Sequence, residues 1–295
     1  MKQNVIKLIL FVCLGTIFMG LLFLFAARMP QPQEGEQTTV VTTVGQSQPG
    51  TELTEPSETV LPTESTEPVL QANPFAPSDF VRDGEWMTCR KQPYLLGVDV
   101  SKFQGQIDWE KVAAAGVQFA IIRVGGRGYG QSGNLYADEM AQKNYTAAKA
   151  AGLQVGAYFF SQAISMEEAE AEATYVLEQI KDWELDLPVV FDWEYISETA
   201  RTAHTDAATV TACADAFCKR ILAAGKKAML YVRSEDTILD LEELATYPRW
   251  VALHRDTMDF PYRFDLWQYT KTGRVPGISG NVDINIWILE EKADA

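Results

Sequence analysis

The sequence predicts an α/β fold: an irregular β/α barrel of five βα units plus three further strands, preceded by an N-terminal transmembrane helix and a disordered stalk. Apolar runs typical of buried strands recur from residue 94 onwards. The phrase Ala-Ala-Gly ends a helical segment and precedes a strand three times, which indicates a repeated βα unit. Three further strand-like runs follow residue 234 with little helix between them. Together these make eight strands, the number that closes a small barrel.

The individual elements follow from local signals. Helices are predicted after Asp108, a suitable N-cap, and after Ser165, which forms a capping box with Glu168. Two more helices are predicted from about residues 138 and 205. The strands are predicted at residues 94–101, 117–124, 154–160, 187–195, 228–232, 250–253, 264–269 and 282–287.

The N-terminal segment, residues 1–28, is predicted to be a cytoplasmic tip and a membrane anchor. Residues 8–27 contain no charge, and 20 apolar residues at about 1.5 Å each span about 30 Å, the thickness of the bilayer hydrocarbon. Lys2 and Lys7 precede this run, so the bulk of the chain should lie outside the cell membrane as a single-pass protein. The alternative is a cleaved signal peptide. We favour an uncleaved anchor because Phe25 occupies a position where a cleavage site needs a small residue.

Residues 29–90 are predicted to form a disordered stalk. The segment is dominated by Thr, Glu, Pro, Gln, Ser and Val, and it repeats the phrase Thr-Glu-Pro. Such a composition buries too little apolar surface to offset the entropy of ordering. The stalk also carries more than half of the net charge of −15 without a basic residue before Arg82, which argues against a nucleic-acid partner. Residues 91–295 are assigned to the barrel domain.

Two carboxylates end the central apolar run of the barrel domain. Side chains in a strand alternate, so Asp192 and Glu194 should point to the same side, with their Cα atoms about 7 Å apart. The carboxyl ends of parallel barrel strands are where barrel enzymes place their catalytic groups. Alternatively, both acids could cap loops or form ion pairs.

Other polar and aromatic side chains are expected at the same rim. Asp283 should join them if its strand runs in the same direction as the others. Trp193 and Tyr195 are expected to face the helix layer. Aromatic rings beside carboxylates suit a sugar substrate, although each ring also suits an ordinary core. The residues expected at the rim from the strand ends are Asp99, Tyr158, Asp192, Glu194 and Tyr231, and the late strand contributes Trp267 and Gln268.

Other chemistries find little support in the sequence. Cys213 and Cys218 lie five residues apart on one predicted helix, about 140° around its axis, which is poor geometry for a disulfide. His204 and His254 have no acidic partner at metal-ligand spacing and are interpreted as structural or surface residues. No Gly-x-Ser-x-Gly motif is present. Neither a metal nor another cofactor is predicted, and acid catalysis by carboxyl groups remains.

The motifs at residues 97–101, 156–161, 190–194, 267–269 and 277–285 resemble those of the family 25 glycoside hydrolases. These are lysozymes that cut the β-1,4 bond between N-acetylmuramic acid and N-acetylglucosamine in peptidoglycan. The resemblance covers about residues 94–289 and implies a flattened barrel of five βα units and three strands. One departure is Leu253-His254, where many relatives have an aromatic residue that could form a sugar-stacking wall.

The resemblance also implies roles for the acids. Glu194 would be the general acid that protonates the glycosidic oxygen. Asp192 would orient the N-acetyl group of the substrate or stabilise the cationic transition state, and Asp99 and Asp283 would complete an acidic cleft. Tyr158, Tyr231, Trp267 and Gln268 would bind substrate.

These inferences lead to a membrane-tethered, monomeric muramidase whose partner is the peptidoglycan glycan strand. Two alternatives stay open. One is a catalytically weak module that binds peptidoglycan. The other is a barrel glycosidase that acts on a different polysaccharide.

Overall fold

The computed structural model describes residues 69–234 and 237–290. The predicted membrane anchor and residues 29–68 of the predicted stalk lie outside these ranges, so the structure does not bear on them. Within the two described ranges, every helix is too short or too polar to cross a membrane.

Eleven strands and four α-helices make up the described part of the chain, together with two short 3-10 helices. The strands are β1 (Phe80–Asp83), β2 (Trp86–Cys89), β3 (Tyr94–Val100), β4 (Phe119–Arg127), β5 (Leu135–Ala137), β6 (Gln154–Ser161), β7 (Val189–Trp193), β8 (Ala228–Arg233), β9 (Arg249–Ala252), β10 (Leu266–Gly273) and β11 (Val282–Ile288). The α-helices are α1 (Trp109–Ala114), α2 (Ala141–Ala150), α3 (Met166–Gln179) and α4 (Ala207–Ala223). The 3-10 helices span Pro77–Asp79 and Lys102–Gln104.

Eight of the strands close into a barrel, which confirms the predicted β/α barrel. The order is β3-β4-β6-β7-β8-β9-β10-β11, and β11 pairs with β3 to complete the ring. Seven strands run parallel, whereas β11 is antiparallel to both of its neighbours. The described residues of the fifth crossover, after β8, form turns rather than a helix.

Helix ends lie where the sequence predicts them. Ser165 accepts a hydrogen bond from the Glu168 main-chain N–H and caps α3. The glycines of the three Ala-Ala-Gly phrases, Gly116, Gly152 and Gly225, have φ values of 97°, 84° and 73°. Glycine tolerates this left-handed conformation, which ends each helix and returns the chain to the barrel.

Two apolar clusters hold the barrel. One lies inside the ring and includes Phe119, Met229, Trp250 and Leu266, and the other lies between the strands and the helices. Phe119 crosses the barrel interior so closely that a Cβ on Gly97 would meet its ring at 2.3 Å. Each large apolar side chain buried in this way contributes about 1.5–3 kcal/mol to stability. The packed interior fixes the strand ends that carry the polar site.

The ordered domain begins before residue 91, the boundary assigned from the sequence. Strands β1 and β2 form a hairpin inside the range predicted as stalk. Phe80 packs edge-on against Trp267 at 5.2 Å between ring centroids, and Met87 is fully buried. The apolar residues of this hairpin bury enough surface to order it, unlike the Thr/Glu/Pro-rich composition before it.

Candidate active site

The four predicted acids meet at one rim of the barrel. Asp99 lies near the end of β3, Asp192 lies in β7, and Glu194 directly follows β7. Asp283 was expected here only if β11 ran parallel to the other strands, and that condition was wrong. Because β11 is antiparallel and Asp283 lies near its beginning, its Cα pairs directly with that of Asp99. The reversed direction and the position in the strand together bring Asp283 to the same rim.

Asp99 and Asp283 form the first carboxyl pair. Asp99 is 5% exposed, and its Oδ2 accepts hydrogen bonds from Gln268 Nε2 and Asn285 Nδ2, each at 2.8 Å. Burial raises the pKa of Asp99 to about 6, although these hydrogen bonds oppose the rise. The pKa of Asp283 is raised to about 8. Burial is the main cause, and the charge of Asp99 and a hydrogen bond between the two side chains add to it. Asp283 therefore holds a proton near neutrality and shares it with Asp99.

Asp192 and Glu194 form the second pair. Burial raises the pKa of Asp192 well above its ordinary value. The negative charges of Glu194 and Asp99 and a hydrogen bond with Glu194 raise it further. The buried Oδ1 atom of Asp192 has no hydrogen-bond partner among the described residues. Glu194 is partly exposed, and its Oε2 lies 3.1 Å from Arg233 Nη1. This pair therefore combines a buried carboxyl whose pKa is raised with a carboxyl that faces a cation.

Gln268 connects the first pair to the wall of the cleft. While its Nε2 donates to Asp99, its Oε1 accepts the Tyr231 hydroxyl at 3.1 Å and lies 2.8 Å from His254 Nε2. These contacts define the orientation of the Gln268 side-chain amide. Gln268 and Tyr231 thus lie beside the acids, and Gln268 is buried behind Asp99, where it orients that acid. Substrate binding by either residue stays a prediction.

The tyrosines at the rim pack on a shared tryptophan. The rings of Tyr158 and Tyr231 lie 6.1 and 4.9 Å from that of Trp250, both edge-on. The indole N–H of Trp250 donates to Asn285 Oδ1 at 2.8 Å, which turns the Asn285 amide towards Asp99. Tyr158 stays partly exposed beside the acids and could contact a substrate.

Trp267 does not belong to the site, which corrects the prediction that it binds substrate. Its side chain is fully buried in the outer apolar cluster, against Phe80 and Tyr269. Its indole N–H donates to the Leu253 carbonyl at 2.8 Å. Neighbouring residues in a strand point to opposite faces, so Trp267 must face outward if Gln268 faces the cleft. Trp193 lies in the same outer cluster, as expected.

Sequence reasoning missed three residues of the site. Asn285 was noticed only as part of a motif. His254 was interpreted as structural or surface, yet it contacts Gln268 while remaining exposed. Arg123 lies in the otherwise apolar run of residues 119–124, bonds to Asp138 at 2.7 and 2.8 Å, and opposes the pKa rise of Asp192. A lone cation in an apolar run was the signal that could have identified it.

Among residues 69–234 and 237–290, no group of three or more His, Cys, Asp or Glu side chains is arranged to hold a metal ion. The two carboxyl pairs place a group that can hold a proton beside a group that can carry negative charge. Such an arrangement suits a reaction in which a leaving group is protonated while positive charge develops nearby.

Known proteins share this domain. The family described as glycosyl hydrolases family 25 matches residues 98–278. Lysozyme M1 of Streptomyces globisporus is 32% identical over 204 residues, which cover 65% of this chain and 67% of the relative.

Two solved structures are similar to this one. A bacterial lysozyme from Streptomyces coelicolor superposes with a TM-score of 0.52 at 29% identity, over 65% of this chain and 90% of the other. The modular autolysin LytC of Streptococcus pneumoniae, solved with a synthetic peptidoglycan ligand, gives a TM-score of 0.58 at 26% identity. That match covers 66% of this chain and 46% of the autolysin, so the chain spans less than half of that relative. The family match covers more than half of the chain and includes Asp99, Asp192 and Glu194, which shows that this chain belongs to glycosyl hydrolases family 25 and is a glycoside hydrolase.

Proposed function

We propose that this protein hydrolyses peptidoglycan at the β-1,4 bond between N-acetylmuramic acid and N-acetylglucosamine. The observation that carries the proposal is the convergence of four carboxyls in two hydrogen-bonded pairs at one rim of the barrel. The similarity to a lysozyme and to an autolysin solved with a peptidoglycan ligand supports this substrate.

In the proposed reaction, Glu194 protonates the glycosidic oxygen. It is the most accessible member of its pair, and the hydrogen bond to Asp192 gives it a neighbouring proton. Asp192 has a buried oxygen without a partner among the described residues, and this atom could accept the N–H of the acetamido group. Asp99 carries negative charge beside the cationic transition state, and Gln268 holds it in place.

The test of this assignment is the release of fragments from purified peptidoglycan, analysed by mass spectrometry. Wild type should release fragments with N-acetylmuramic acid at the reducing end. Glu194→Gln should slow release by about 10²- to 10⁴-fold, the usual contribution of a general acid. Glu198→Gln is a matched control, because Glu198 lies in the same loop, exposed, and bonds only Tyr195 among the contacts described there. Equal rates for Glu194→Gln and wild type would remove Glu194 from this role.

One observation favours a second candidate, a catalytically weak module that binds peptidoglycan. Arg233 lies 3.1 Å from Glu194 and favours its charged form, whereas an acid catalyst must carry a proton. Retention of the protein on peptidoglycan without fragment release would support this candidate. Fragments from a polysaccharide that lacks 2-acetamido groups would instead support the third alternative.

Tethering to the cell membrane with the barrel on the cell-wall side is also part of the proposal. Its support is the apolar run at residues 8–27 with its preceding lysines. The full-length chain should sediment with membranes, and a chain that begins at residue 29 should not. We further propose that the protein acts as a monomer, which light scattering of the solubilised chain would check.

A further inference from the structure

Gln162, the residue after β6, joins both ends of the loop that follows β7. Its side chain is completely buried. Its Nε2 donates to the main-chain carbonyl of Glu194 at 2.8 Å, and its Oε1 accepts the hydroxyl of Thr202 at 2.9 Å. A single buried amide therefore fastens residues 194 and 202, with the intervening loop between them.

A second tie secures the same loop. Arg201 Nη1 donates to the main-chain carbonyl of Gln162 at 2.7 Å. The same guanidinium binds both oxygens of Glu168 in α3, at 2.6 and 2.7 Å. Bidentate pairs of this kind have a fixed geometry as well as strength. The far end of the loop is thus anchored to a helix as well as to Gln162.

These ties matter because Glu194 lies just beyond β7, which ends at Trp193. The sheet that holds Asp192 in register does not extend to Glu194. The bond from Gln162 fixes the carbonyl of Glu194 and helps to set the direction in which its side chain leaves the backbone.

We propose that Gln162 and Thr202 are positioning residues for the reaction, which hold the Glu194 carboxyl against Asp192 and Arg233. This inference rests on the proposed function, in which Glu194 donates the proton. Displacing a catalytic group by about 1 Å can cost about 10²-fold in rate. A purely structural role would instead lower stability without a selective effect on kcat.

The test compares two buried threonines in the full-length protein. Thr202→Val removes the hydroxyl that Gln162 accepts. Thr211→Val is the control, because Thr211 in α4 is equally buried and loses a bond from the Asp240 main-chain N–H. With a soluble glycan-strand fragment as substrate, we expect kcat of Thr202→Val to fall about 10- to 100-fold, with KM unchanged. Thr211→Val should keep the wild-type kcat, and Thr202→Ser should restore it.

Equal kcat values for the two valine variants would overturn the inference, and so would a failure of Thr202→Ser to restore kcat. If Thr202→Val does not fold, Gln162→Asn replaces it, since the shorter amide cannot reach both partners, and the same fall in kcat is expected.

Hydrogen exchange of the loop amides tests whether Gln162 restrains the loop, and it does not depend on catalytic activity. Exchange at residues 195–201 should accelerate in Thr202→Val but not in Thr211→Val, and unchanged exchange would refute the tie. An inactive wild type would refute the proposed function and the catalytic part of this inference, whereas the exchange result would still decide whether Gln162 holds the loop.

Discussion

The pKa of Asp283 predicts a loss of stability as the pH rises from about 4 to about 8, and a single substitution should remove this loss. In the folded protein this pKa is about 8, whereas an ordinary aspartate has 3.8. A carboxyl whose folded pKa is raised stabilises the fold at low pH, and this contribution is lost as pH rises through the folded value. Between pH 5 and pH 8 the unfolded carboxyl is ionised while the folded one mostly keeps its proton.

The magnitude follows from that interval. At about 1.4 kcal/mol per pH unit, the wild type would lose at most about 4 kcal/mol of unfolding free energy between pH 5 and pH 8. Partial exposure of Asp283 and its sharing of a proton with Asp99 reduce this value, so we expect about 2 kcal/mol. The side chain of the Asp283→Asn variant cannot ionise, so its unfolding free energy should not fall in this way. The difference in unfolding free energy between the variant and the wild type should therefore grow by about 2 kcal/mol from pH 5 to pH 8.

Urea denaturation at the two pH values, followed by tryptophan fluorescence, measures the difference. Asp256→Asn provides the control, because Asp256 forms an exposed ion pair with Arg82. If the Asp283→Asn and wild-type curves shift equally with pH, the carboxyl is not held protonated and the reasoning fails.

Three further substitutions test the site. Gln268→Leu should lower kcat by about 10²-fold, since it removes a donor to Asp99, while an unchanged rate would separate Gln268 from catalysis. Trp267→Phe removes the hydrogen bond to the Leu253 carbonyl, so it should lower the unfolding free energy by about 1 kcal/mol and lower the melting temperature as well. The KM of this variant should stay unchanged. His254→Ala should raise KM measurably in the same kinetic assay if the imidazole lines the substrate wall, and an unchanged KM would exclude that.

The barrel itself was predictable, because each strand and helix is defined by a local pattern. One exception was the β1–β2 hairpin, which lies at the end of the segment predicted as a stalk. Asp83-Gly84 between two partly apolar runs was the available signal, and Gly84 indeed adopts a φ of 60° at the turn. Composition averaged over a long segment obscured that short-range information.

The acids of the site were predictable from strand ends, but their supports were not. The direction of β11 depends on strand pairing, which alternation along one strand cannot show. The exclusion of Trp267 could have been foreseen, because two neighbouring residues cannot both face the cleft. Gln162 and Asn285 gave no such signal, since a single polar residue does not reveal which distant carbonyl or carboxylate it will meet.

Within each carboxyl pair, the two members differ in the groups that surround them, and this difference affects how tightly each one holds a proton. Asp99 receives two amide donors, whereas Asp283 receives a shared proton and the repulsion of its neighbours. Asp192 is buried with one oxygen unpartnered among the described residues, whereas Glu194 faces Arg233. In each pair, burial and neighbouring charge raise the pKa of one carboxyl, which is Asp283 in the first pair and Asp192 in the second. Since protonation of the leaving oxygen and stabilisation of positive charge must occur together in glycoside hydrolysis, carboxyls with different proton affinities in one cleft suit both requirements.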